Sequence, residues 1–275
     1  MVLWPVQECW LTGMPKGGHG LCSPGEAGSG RAAIIVKEKS FETASDKERL
    51  PLRRPSWNLW QALMLIAVVS LIEWPLGLLN TPQDLTAVAG IVHFAAVDIM
   101  DGVLYAGALV FLFRRLHRPL RDLGFVRPKA AYVLWGLVVG VLLFLIIGLI
   151  GTILTRWAGT PVPQSFAVAA QSAKYPWEFY LLLLLGGIIA PLKEETIFRG
   201  LFYPPLRQDY GRGQAMIFTA ALFAVLHLDL VRFLPLFLGG LVLVWLFEKT
   251  ESLWPSILAH GTWNILMALA LWLQR

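Results

Sequence analysis

From Trp57 onward apolar residues run almost without interruption, broken at intervals by short polar or basic stretches. A hydrocarbon core about 30 Å thick takes about 20 helical residues. The pattern therefore predicts spans over 57–79, 87–113, 131–155, 177–199, 213–230, 233–248 and 253–273. The third is the cleanest, with no charged residue from Ala131 to Thr155. The fourth, fifth and sixth have short uncharged cores, Phe179 to Leu192, Gly213 to Leu228 and Phe233 to Phe247. Polar residues at their ends are thereby drawn toward membrane depth. The expected fold class is all-α, a polytopic transmembrane helical bundle of about seven spans.

Residues 1–56 break the pattern. Seven Gly precede position 31, and a mixed-charge stretch follows from Lys37 to Arg54. Such a segment buries too little apolar surface to offset its ordering entropy, and it lacks the basic start and apolar core of a signal peptide. The expectation is a disordered cytoplasmic tail over 1–56, followed by a transmembrane helical domain over 57–275.

Composition narrows the class further. Of 275 residues, 56 % are hydrophobic and only 15 % charged, against about 25 % charge in soluble domains. A soluble enzyme, a disordered protein and a secreted disulfide scaffold are excluded, and barrels show alternating segments instead. The net charge of +5 does not point to nucleic acid, because the basic residues lie between apolar runs. Arg114, Arg115, Arg118, Arg121, Arg127 and Lys129, against the single Asp122, mark the 114–129 connection as cytoplasmic. Arg53, Arg54, Arg207 and Arg212 agree, so the N-terminus is expected in the cytoplasm. Cys9 and Cys22 precede every span, so no thiol is available at membrane depth.

An ionisable residue at the bilayer centre costs about 2.5–3.5 kcal/mol on insertion scales and usually faces the protein interior. Those present are Glu73, His93, Asp98, Asp101, Lys193, Glu194, Glu195, Arg199, His227 and His260, with the neutral Asn264. Glu195 and Arg199 are four apart with Glu first, the favourable orientation for a helical ion pair. Glu194, offset by about 100° on a helix, is left free to act. Phe223 and His227, and likewise His260 and Asn264, share the same spacing and are expected on one helix face each, inside the fifth and seventh spans. Buried apart, these groups would each cost several kcal/mol; the economical arrangement gathers them round one hydrated cavity. There Glu194, assisted by His227, could take a proton from water. His260 and the Asn264 amide could donate to a tetrahedral oxyanion, each donor being worth about 10²–10³ in rate. No HExxH or GxSxG segment competes with this set.

At these residues the sequence resembles the CAAX prenyl protease and bacteriocin-processing family, also called Abi or type II CAAX endopeptidases. The signatures EExxxR, FxxxH and HxxxN appear in order as Glu194 to Arg199, Phe223 to His227 and His260 to Asn264, within a protease-like core at about 177–268. Phe198-Arg199-Gly200, the Ser252-to-His260 stretch and Asp122-Leu123-Gly124-Phe125 also look like bacterial members. The resemblance implies an intramembrane endopeptidase of glutamate type, acting on a membrane-associated peptide or protein. Glu194 and His227 would activate water, His260 and Asn264 would form the oxyanion hole, and Glu195, Arg199 and Phe223 would support them. No cofactor is expected.

Three alternatives stay open. A divalent metal such as zinc could be held by Glu194, His227 and His260, with Glu195 as a further oxygen donor. The chain could be a non-catalytic bacteriocin-immunity or membrane peptide-binding protein. Asp98 and Asp101, three apart with His93 nearby, could form an ion carrier, or could simply pair with arginines or the polar cavity.

Overall fold

The computed structural model describes residues 55–79, 87–159 and 164–274. The expected tail therefore lies, up to residue 54, outside the described residues, as does the Glu73 side chain. Among the described residues the chain is entirely helical. In order come α1 (Leu59–Leu79), α2 (Val88–Arg115), a short 3-10 turn (Leu120–Leu123), α3 (Ala130–Ala158), α4 (Ser165–Ser172), α5 (Pro176–Leu184), α6 (Ala190–Glu195), α7 (Tyr203–Val225), α8 (Leu230–Thr250) and α9 (Leu253–Leu273). Helices α2, α3, α8 and α9 are long and apolar enough to cross a membrane, and Leu59–Ile72 is a shorter apolar stretch. The chain is an integral membrane protein.

Local sequence explains the boundaries. Asn58 and Gln61 cap α1 reciprocally, each side-chain oxygen accepting from the other's backbone N–H at 2.9 and 3.0 Å. Glu178 caps α5 by accepting from the Lys174 and Tyr175 amides at 2.6 and 2.9 Å, with Pro176 in the first turn. Arg114 and Arg115 sit in the last turn of α2, where the helix dipole favours cations.

The fourth expected span is longer than its apolar pattern. Helical backbone continues without a break from α5 through two π-helical segments, Leu185–Ile189 and Thr196–Phe202, into α7 as far as Gly211, whose φ of 77° and ψ of 169° break it. The expected span ends at residue 199. Tyr203, Arg207 and Arg212 converge on Glu248 near the end of α8: the Tyr203 hydroxyl donates at 2.7 Å and Arg207 Nε at 2.9 Å, while Arg212 Nε lies at 3.7 Å. The helix thus extends well past Glu194.

One end of the bundle collects the basic connection. The Leu253 amide donates to Gly124 O at 2.9 Å, and Ser252 Oγ donates to Val126 O at 2.6 Å. The Asp122–Phe125 segment therefore seats the start of α9, with Leu123 buried and Phe125 edge-on to Trp254. At the other end Phe179 at the start of α5 stacks on Trp272 at the end of α9, ring centroids 4.8 Å apart. Between the ends, α3 packs along α9 through Gly136 and Gly140.

Candidate active site

The polar groups at membrane depth assemble around α6, a six-residue helix between the two π-helical segments. The expected pair forms: Arg199 Nη1 donates to Glu195 Oε1 at 2.9 Å, both side chains fully buried. Arg199 Nη2 donates across to Gly240 O in the middle of α8 at 3.1 Å, and its guanidinium carbon lies 4.8 Å from the Phe223 ring centroid, a cation–π distance.

His260 joins the same carboxylate. Its Nδ1 is 2.8 Å from Glu195 Oε1, while Nε2 is 3.8 Å from Glu194 Oε2. An ionised Glu195 can only accept, so Nδ1 carries the proton it donates. The tautomer is thereby fixed from one side, and Nε2 faces Glu194. Glu195 is 0 % exposed, whereas the Glu194 side chain keeps 23 % exposure. The adjacent carboxylates have separate surroundings: one is enclosed by Arg199 and His260, the other is half-open beside the same imidazole.

Asn264 stands one turn beyond His260 and meets the first π-helical segment. The Ala190 amide bonds back to Leu185 O in the wide π pattern. The next carbonyl, Gly186 O, would take the amide of residue 191, which is proline and has none. Asn264 Nδ2 donates to Gly186 O instead, at 2.9 Å. One amide hydrogen is thus engaged in holding α9 against the site, and the other remains for a ligand. The contact is close: a Cβ on Gly261 would fall 2.3 Å from Gly187 O.

His227 is placed differently from the expectation. Helix α7 ends at Val225, so His227 lies in the turn beyond it and not on a helix face inside the fifth span. Its Nδ1 folds back to 2.7 Å from Phe223 O, a carbonyl left without a helical partner where the helix stops. Phe223 links the two histidines: its ring centroid is 4.7 Å from the His227 ring and 5.9 Å from the His260 ring. All three motifs therefore meet on one aromatic side chain.

The carboxylates of α2 belong to this neighbourhood. Lys193 Nζ bonds Asp101 and lies 3.7 Å from Asp98 Oδ1. Of the two partners expected, arginines or the polar cavity, the structure gives the second: the cation is Lys193, the lysine that precedes Glu194. Sequence reasoning flagged Lys193 as misplaced in lipid and left it without a role; the two acids three apart on α2 were the available signal. Among the described residues, no group of three His, Cys, Asp or Glu is gathered to hold a metal ion.

Comparison with known proteins bears on this segment. Residues 176–266 match the family model described as type II CAAX prenyl endopeptidase Rce1-like. Over these residues the chain is similar to the CAAX protease-like family. A Bacillus subtilis (strain 168) protein described as "Putative membrane peptidase YdiL" is 27 % identical over 84 residues. That alignment covers 30 % of this chain and 34 % of the relative, about a third of its length. No solved structure matches the chain. The matched segment runs from the first residue of α5 into α9 and contains Glu194, Glu195, Arg199, Phe223, His227, His260 and Asn264.

Proposed function

We propose that the protein is an intramembrane endopeptidase that hydrolyses a peptide bond of a membrane-associated peptide or protein. One observation carries this reading: a single imidazole, His260, lies between a fully buried carboxylate at 2.8 Å and a half-open one at 3.8 Å. Glu195, held by Arg199, orients the ring, and Glu194 is the carboxylate that solvent can reach. Glu194 takes a proton from water with His227 assisting, and the water oxygen attacks the scissile carbonyl. The second hydrogen of the Asn264 amide donates to the oxyanion that forms, and His260 joins it as an imidazolium whose Nε2 proton comes from solvent before the attack, with Nδ1–H kept on Glu195. Collapse of that intermediate expels the amine, which receives the proton from Glu194.

The reaction needs no metal in this reading. Asn264 is a poor zinc ligand and a good amide donor, and His260 Nδ1 is already engaged with Glu195. The chain sits in a bacterial cytoplasmic membrane with its N-terminus inside. The support is that the exposed Arg114, Arg115, Arg118, Arg121, Arg127 and Lys129 lie on the connection that docks on the start of α9, at one end of the bundle.

The test is terminal-peptide mass spectrometry of membranes holding the wild-type chain or Glu194→Ala, with and without chelator. New termini should appear with wild type in both conditions and be absent with Glu194→Ala. Termini lost on chelation and restored by zinc would overturn the metal-free step. Equal termini from both chains would leave a peptide-binding or immunity protein as the better reading.

A further inference from the structure

We propose that Asp98 and Asp101 are positioning residues for the reaction: by pinning Lys193 they turn Glu194 into the seam between α2 and α9. This rests on Glu194 being the reactive carboxylate. Successive residues of a helix differ by about 100° in direction, so Lys193 and Glu195 point to roughly opposite sides of α6 and Glu194 lies between them. Each neighbour is fastened to a different helix. On one side Lys193 Nζ bonds Asp101 and lies 3.7 Å from Asp98, both on α2. On the other, Glu195 Oε1 is held by His260 of α9 at 2.8 Å and by Arg199 at 2.9 Å.

Two fasteners are needed because α6 is short and has π-helical backbone at both ends. A helix interrupted this way has no long ladder of regular hydrogen bonds to resist rotation. With the α9 side alone held, α6 could swing Glu194 toward α2 or away from His260. The ammonium is also disposed of. Lys193 immediately precedes Glu194 in an apolar surrounding where an unpaired cation would seek the nearest carboxylate. Two aspartates occupy it instead, and Glu194 stays available. The side chains of Asp98, Asp101, Lys193 and Glu194 are all similarly half-buried, between 17 and 23 % exposed. They line one partly open seam, whereas Glu195 and Arg199 are sealed behind it.

The test reads orientation without needing turnover. In the full chain carrying Cys9→Ser and Cys22→Ser, the thiol of Glu194→Cys is labelled in membranes with an uncharged, water-soluble maleimide. Adding Asp98→Asn with Asp101→Asn should slow labelling by about tenfold, as the population facing the seam falls. Lys193→Met should slow it as much, because it removes the same pin from the other side. Asp101→Glu, which keeps the charge, should stay within about twofold of the parent. The fully buried Ser256→Cys should remain slow in every background. Unchanged labelling after loss of either partner overturns the proposal. So does faster labelling of Ser256→Cys in the aspartate variants, which would mean general loosening. Cleavage by Glu194→Ala membranes would sink the catalytic reading separately, since labelling reports position alone.

Discussion

Helices α3 and α9 lie side by side and are built on opposite principles. Helix α3 is apolar throughout its span and mostly exposed to where lipid would be; among its described side chains only the stripe Gly136, Gly140, Leu143 and Ile147 is buried. Helix α9 is less hydrophobic and more buried, and it carries His260 and Asn264. The difference teaches where specificity resides in a membrane bundle. Lipid tails are as apolar as leucine, so an apolar surface gives helices little reason to associate; close approach of small residues and interhelical hydrogen bonds do that work. Helix α3 contributes two glycines and a wall. Helix α9 contributes the contacts that fix the site.

The largest expected effect breaks the α9 side at its deepest point. Arg199→Met removes the cation that holds Glu195 and leaves a fully buried carboxylate whose Oε2 already has no partner. Breaking a buried pair in this way costs about 3–5 kcal/mol. Detergent-titrated unfolding of the purified protein should show a loss of that order. A loss below about 1 kcal/mol, the value of an exposed pair, would mean that water reaches Glu195 and that the two carboxylates are not differently housed.

The sequence made these two helices unequally legible. The third span is the easiest to read, because an uncharged run of that length has one physical use. The Glu195–Arg199 pair was also legible, since four-residue spacing is local. What escaped was tertiary. The Pro191 that orphans Gly186 O could be seen as a proline, but its partner Asn264 lies 78 residues on. The end of α7 before His227 escaped because Ala224 to Leu228 continues the apolar pattern and only the backbone shows the turn. The Lys193 partners escaped because they lie on α2, far back in the chain. The Asp122–Phe125 segment was recognisable by resemblance, while its task, seating the first residue of α9, required the fold.

A pair of glycine substitutions sharpens the contrast at intermediate size. On Gly140 a Cβ would fall 2.6 Å from Ala259 O and from Thr262 Cβ; on Gly261 it would fall 2.3 Å from Gly187 O. Backbone must move in both cases, and overpacking of this kind costs about 1–3 kcal/mol. Gly140→Ala and Gly261→Ala should therefore lose similar stability. Only Gly261→Ala pushes α9 away from the π-helical segment to which Asn264 is bonded, so only it should also abolish the wild-type peptide termini at temperatures where both variants remain folded. If both lost the termini alike, α3 would be shaping the site after all.

The smallest expected effect is the most direct statement of what α3 is. Leu145 is 57 % exposed on its outer face. In a soluble core, Leu→Ala costs about 2–5 kcal/mol, because the side chain leaves water on folding. Here the outer face meets lipid before and after the helices associate, so no such transfer occurs. Leu145→Ala should change unfolding stability by no more than about 0.5 kcal/mol, the usual range for surface positions. The same substitution at Leu143, buried two residues earlier against the α8–α9 side, supplies the reference within one helix and should cost several times more. A large penalty at Leu145 would mean that something besides lipid covers this face, and the division of labour between α3 and α9 would have to be redrawn.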